Sequence, residues 1–185
     1  MHVRNATRDD CPALGEIVIG ANRSAFEGRV PEACLTELPI EASVANWRRF
    51  FDSGRAQQPD VMFLVAEAQP GEVVGFILAG SKTADVIHDV SIAVRYPREI
   101  TSLNVAPAWH RRGVGRALVS AVATWFVERG ERSVAVLAHE LNPNRPFYIR
   151  LGALELSAQP HDWAGFASRQ IVYGWNDIGV VCGAA

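Results

Sequence analysis

Gly113 and Gly115 stand one residue apart, with Arg111 and Arg112 just before them and Arg116 just after. Glycines at this spacing expose main-chain N–H groups that a Cβ would screen. Where such glycines open a helix, the first N–H groups have no intrahelical acceptor, and the helix dipole favours an anion. The guanidinium groups add positive charge at the same point. The chemistry that fits is the cradling of a diphosphate. The flanking residues supply the elements that would hold this turn. Leu103 and Val105 alternate with Ser102 and Asn104 as in a half-buried strand, and Pro107 removes a donor and ends the ladder. Past Gly115, Leu118, Ala121, Val122 and Trp125 recur with the period of one helix face, and Gly130 is placed for a left-handed C-terminal cap. The cradle therefore sits at a strand-to-helix turn.

The run lacks the Gly-Lys-Ser/Thr ending of a Walker loop. It also lacks the third glycine of a dinucleotide fingerprint, where Leu118 stands instead. His110-Arg111-Arg112-Gly113-Val114-Gly115 resembles the Arg/Gln-x-x-Gly-x-Gly/Ala signature of the GCN5-related N-acetyltransferase (GNAT) superfamily, with His110 at a position more often Gln or Arg. After the apolar run Val134–Ala138, the stretch from Asn142 through Phe147-Tyr148 to Leu151-Gly152 resembles the second half of the same signature. Together the two cover about residues 99–152. The resemblance implies an α/β (α+β) GNAT fold: a central mixed, mostly antiparallel sheet of about seven strands flanked by helices. It implies acetyl-CoA as co-substrate. The pyrophosphate would lie on Arg111, Arg112, Gly113, Val114, Gly115 and Arg116, and the pantetheine arm along Leu103, Asn104 and Val105. Asn142 would hydrogen-bond that arm, and Tyr148 would face the sulfur.

The activity so implied is direct transfer of an acetyl group to a primary amine of a small molecule or peptide. Three tasks follow. A lysine-like amine has a pKa of about 10.4, so a base or a water chain must take a proton. Glu99 matches the strand position where several family members carry a carboxylate base; Asp89, His88 and Glu27 are weaker candidates. The tetrahedral oxyanion needs a fixed donor, and the resemblance points to the Val105 N–H. The leaving thiolate needs a proton donor. Tyr148, with an ordinary pKa near 10, holds its proton at pH 7 and is the expected general acid. Two other readings stay open: a protein N-terminal or lysine acetyltransferase, and a sensor that binds acyl-CoA without turnover.

The 185 residues are expected to form a single domain. The net charge of −2 argues against bulk attraction to nucleic acid or to an anionic membrane surface. Cys11, Cys34 and Cys182 are odd in number and widely spaced, which suggests reduced thiols in a cytoplasm. No signal peptide or membrane span is expected. His110, His139 and His161 lack metal-ligand spacing, so no metal is expected. A strand over residues 2–6 leads to a helix start at Thr7, with Asp10 three residues on, and Leu14, Ile17, Val18 and Ala21 share a helical face. A second helical region, 31–53, breaks near Leu38-Pro39 and carries Ile40, Val44, Trp47 and Phe51 on one stripe. Val61–Glu67 and Val73–Gly80 flank a Pro-Gly turn and read as a hairpin. Residues 81–99, where His88 to Val94 alternate weakly, are expected to extend the third and fourth strands into a long arm, either a dimer contact, with a homodimer slightly favoured, or a rim of the acceptor site. Leu154–Leu156 and Arg169–Tyr173 are expected as the last two strands. The resemblance implies that Phe26, Glu27 and Arg29 help choose the acceptor amine, and Trp163–Phe166, in the connection between the last two strands, are candidates to wall its site.

Overall fold

Strand-forming and helix-forming stretches alternate along the chain, of which the computed structural model describes residues 1–36, 39–81 and 86–183. Among them, β1 (His2–Asn5), β2 (Val61–Glu67), β3 (Val73–Ser81), β4 (Arg98–Val105), β5 (Val134–His139), β6 (Leu154–Trp163) and β7 (Phe166–Trp175) form one open sheet in the order β1-β2-β3-β4-β5-β7-β6. Every pair is antiparallel except β4 with β5. The helices are α1 (Cys11–Phe26), α2 (Glu32–Thr36), α3 (Ile40–Asp52), α4 (Val90–Arg95), α5 (Val114–Glu128) and α6 (Pro146–Arg150).

Two helical layers cover the sheet because its strands are apolar on both sides. The stripe of α5 buries Leu118, Val122 and Phe126 against Ile77, Ile100 and Val136 on one face. The opposite face carries Phe63, Val65, Phe76 and Leu78 under Leu14 and Ile17 of α1 and Phe51 of α3. Each such side chain contributes on the order of 1.5–3 kcal/mol of hydrophobic burial. Trp47 is spent in this second layer, its ring 5.4 Å from Phe63 and 5.3 Å from Phe76, so the α3 aromatic stripe is core. Gly75 lets α5 settle onto β3, since a Cβ there would lie 2.9 Å from Val114 Cγ1. At its far end α5 stops at Gly130 (φ 73°), and Glu131 N–H returns to the Phe126 carbonyl at 2.9 Å.

The first strand is locked by charge. The Arg4 guanidinium donates two bonds of 2.8 Å to the Asp10 carboxylate and also bonds Glu67 Oε1 on the neighbouring β2. Asp10 also accepts the Thr7 N–H at 2.7 Å, so the Thr7–Asp10 helix start forms as its spacing predicts. Burial alone would raise the Asp10 carboxyl, but the bonds from Arg4 and Thr7 outweigh it and hold the carboxyl below its ordinary value. Arg4→Ala leaves Asp10, 7% exposed, without its counter-ion and is expected to lower stability by about 2–3 kcal/mol in urea unfolding at pH 7. Because the folded-state pKa of Asp10 is depressed, this stabilisation is complete above the ordinary 3.8 and is lost as pH falls through the folded value. The gap between variant and wild type therefore closes in acid.

Two expectations about the elements are corrected. Residues 82–85 of the expected long arm lie outside the described residues; beyond them the chain forms α4 instead of a strand. Asp89 caps that helix, accepting from Ser91 N at 2.9 Å and Ile92 N at 3.2 Å. Ile92 and Ala93 pack on Tyr96 and Val172, while Val90 and Val94, one turn apart, face outward. Weak alternation over so few residues suits either period. The exposed hairpin that favoured a homodimer is thus replaced, where the chain is described, by a packed helix. The last two strands are much longer than Leu154–Leu156 and Arg169–Tyr173. Pro160 is tolerated because β6 is the sheet edge, and the β6–β7 turn is made by Ala164 (φ 53°) and Gly165 (φ 79°).

Candidate active site

The sheet opens at its centre. Strand β4 pairs with β5 only at Arg98↔Val134, Glu99↔Ala135 and Ile100↔Val136, after which the two part. Across the other edge of β4, Ala106 N–H bonds the Val74 carbonyl at 2.9 Å, and Val105 lies opposite Gly75. By the alternation of an antiparallel ladder, the backbone groups of Val105 and Leu103 then point away from β3, into the opening. The Val105 carbonyl is taken by His110 Nε2 at 2.9 Å, which makes Nε2 the protonated nitrogen. His110 therefore ties the loop after β4 back onto the strand and leaves the Val105 N–H facing the opening.

A cavity of about 500 Å³ fills this space. One wall is Leu103, Asn104 and Val105; its floor is the start of α5, with Gly113, Val114, Gly115 and Arg116. Gly113 sits at φ 83°, and the first intrahelical bond runs from Ala117 N–H to the Gly113 carbonyl, so the N–H groups before it have no partner within the helix. A Cβ on Gly113 would meet nothing within 4 Å, whereas one on Gly115 would come 3.4 Å from Phe147 Cζ. Gly113 is thus required by its positive φ, and a Cβ on Gly115 would make only an ordinary contact with α6. Arg111, itself at φ 62°, lines the cavity, whereas Arg112 lies over the Trp109 ring at 4.9 Å and is not part of the wall.

The third side comes from the β5–α6 turn. Asn142 lines the cavity, and its Oδ1 accepts the Asn144 N–H at 2.9 Å, leaving its amide NH₂ to donate to a ligand. Tyr148 also lines it, with its ring 5.7 Å from Tyr173 and 6.2 Å from Trp175. Burial, together with Tyr173, pushes the Tyr148 phenol up to about 12. The hydroxyl makes no hydrogen bond to a described residue.

Glu99 is not in the wall. It is 5% exposed, beside Ala135 on the sheet face that carries Tyr96 and Val172, opposite α5. Asp89 serves as the α4 cap and the His88 N–H bonds Gln159 Oε1, while Glu27 and Arg29 are exposed outside the cavity. Phe26 does line it, at the end of α1, and its ring meets His139 at 5.3 Å and Trp163 at 5.0 Å. Asn22 and Arg150 also line the cavity; Arg150 lies within the Asn142–Gly152 stretch without a role assigned to it, and Asn22 is outside both motifs, its one local hint being that it follows Ala21 of the α1 apolar stripe. Among the described residues no group of three or more His, Cys, Asp or Glu is placed to hold a metal, and no helix is long and apolar enough to cross a membrane.

A strand splay and an unpartnered helix start thus face each other across the cavity. The acetyltransferase (GNAT) family model matches residues 29–153, and the chain belongs to that family. It is 23% identical over 176 residues to the uncharacterized N-acetyltransferase YuaI of Bacillus subtilis, covering 95% of this chain and 93% of that one. The fold is shared with the PaiA N-acetyltransferase of Thermoplasma acidophilum, solved in complex with coenzyme A (TM-score 0.70, 16% identity, 94% of this chain and 96% of that one). It is also shared with YncA of Salmonella typhimurium, solved with its cofactor acetyl-CoA (TM-score 0.63, 20% identity, 96% of this chain and 94% of that one).

Proposed function

We propose that the protein is an acetyl-CoA-dependent N-acetyltransferase that moves the acetyl group directly to a primary amine of a small molecule or peptide. One observation carries this: the first N–H groups of α5, opened by Gly113, and the backbone edge of Leu103 and Val105 face the same cavity. That pairing suits a ligand with a diphosphate at one end and an amide-bearing arm at the other. The pyrophosphate lies on Gly113, Val114 and Gly115, with Arg111 and Arg116 beside it. The arm adds along β4 as an extra strand would and meets the Asn142 amide.

The amine nitrogen attacks the thioester carbonyl, and the Val105 N–H receives the oxyanion. As the C–S bond breaks, Tyr148 donates to the sulfur. A phenol near 12 gives up its proton reluctantly to a thiolate whose acid has a pKa of about 8.5, so the phenol acts as a hydrogen-bond donor that stabilises the departing sulfur. The thiol takes its final proton from the ammonium formed in the attack. Glu99, buried on the far side of β4, takes through water the first proton of a protonated amine before the attack, so that the proton later passed to the thiol is the second one, lost from the nitrogen of the adduct. Arg112, held on Trp109, contributes charge without contact. The site is tested by mixing enzyme and acetyl-CoA with a panel of amines and following free thiol. Release that requires both an amine and the enzyme supports the reading; release with no amine preference above the blank contradicts it.

A further inference from the structure

His139 ends β5 and is 8% exposed, yet every polar atom of its ring is engaged. The Leu141 N–H points at Nδ1 at 3.2 Å, and Nε2 lies 3.0 Å from Ser168 Oγ, which in turn is 3.1 Å from the His161 carbonyl. A backbone N–H can only donate, so Nδ1 is the bare nitrogen and Nε2 carries the proton. The imidazole is neutral, and the chain of bonds runs one way, from Leu141 N–H through the ring and Ser168 to the His161 carbonyl.

The same residue holds the donor side of the cavity. Its carbonyl accepts the Asn142 N–H at 2.9 Å, and the Asn142 carbonyl accepts the Arg145 N–H at 3.2 Å where α6 begins. Ring and carbonyl together therefore set the turn that carries Asn142 and leads to Tyr148. On its other side the ring packs edge-on against Phe26, which lines the cavity, and against Trp163 at 5.4 Å.

We propose that His139 is a positioning residue: its neutral Nδ1, by accepting the Leu141 N–H, holds the Asn142 turn in the form that binds the acyl-CoA arm. This rests on the cofactor reading above. Protonation would place an N–H on Nδ1 against the Leu141 N–H and release the turn. The groups that bear on its charge are His161 from β6, which disfavours it, and Glu140, which favours it but is itself paired with Arg169 of β7. Phe26 and Trp163 present uncharged rings. Burial first, then His161, lowers the His139 pKa from the ordinary 6.5. The binding form is thus complete above that value and is lost as pH falls through the lowered one.

The test uses His139→Asn and His139→Phe. Asn puts Oδ1 near the place of Nδ1 and keeps the acceptor, while losing the ring. Phe keeps the ring packing and loses the acceptor. We expect His139→Phe to raise the KM for acetyl-CoA roughly tenfold with kcat changed less, the effect of leaving one amide donor unmet. We expect His139→Asn to restore most of that loss and to remove the rise in KM expected of wild type as pH falls through the lowered His139 pKa. Thermal melts of both variants report whether the fold survives. The reverse ranking, Phe near wild type and Asn impaired, would overturn the proposal and make His139 a packing residue, as would equal KM values in both variants and wild type. Failure of wild type to bind acetyl-CoA at all would instead remove the cofactor reading beneath it.

Discussion

Tyr148→Phe is expected to lower kcat by about a hundredfold while leaving the KM for acetyl-CoA within about threefold. The ring stays packed on Tyr173 and Trp175, and no hydrogen bond to a described residue is lost, so the fold should be unaffected. What disappears is the only polar atom of the side chain, the hydroxyl that the proposed mechanism aims at the departing sulfur. A group that acts only as the bond breaks lowers kcat and kcat/KM together. The raised pKa adds a second expectation. The phenol is active while protonated, and its pKa is pushed up to about 12 by burial and Tyr173. Tyr148 therefore produces no descending limb in the pH–rate profile anywhere below that value. Stopped assays from pH 6 to 10 on wild type and variant check both points; an unchanged kcat would remove Tyr148 from the chemistry.

Gly113→Glu should weaken acetyl-CoA binding by at least a hundredfold. A Cβ at this position meets no atom within 4 Å, so steric damage to the free protein is absent, but the φ of 83° costs a non-glycine residue about 1–2 kcal/mol. The larger effect is electrostatic. A carboxylate placed at the helix start competes for the N–H groups that the diphosphate needs and repels its charge. Gly113→Ala separates the two contributions: it carries the strain without the charge and should lose only about tenfold. A circular dichroism melt distinguishes loss of binding from loss of fold.

The parts of this architecture that were legible in the chain are those written in short-range chemistry. The turn at Gly113 and Gly115, the cap at Gly130, the Thr7–Asp10 helix start and the β2–β3 hairpin each depend on a few adjacent residues, and each forms. The stretch from Asp89 to Arg95 was misread because Val90, Ile92 and Val94 satisfy a strand period as well as a helix whose outer face happens to be apolar. Residues 157–163 extend β6 beyond the expected Leu154–Leu156; Pro160 and their polarity suit a strand only at a sheet edge, and edge status is a property of the whole sheet. Glu99 was placed in the right strand, but its depth and its absence from the cavity wall follow from the α4–β7 packing around it. His139 carried no motif at all. Its role arises from Leu141, Ser168 and Phe26, which meet only in three dimensions.

The most direct test of the account is a calorimetric titration of the wild-type protein with acetyl-CoA. The cavity formed by the β4–β5 opening and the α5 start predicts one site per chain with a Kd on the order of 10 µM, near −7 kcal/mol. Absence of heat and of competition by coenzyme A up to about 1 mM would mean that the glycine turn merely joins a strand to a helix, and the proposed activity would fall with it.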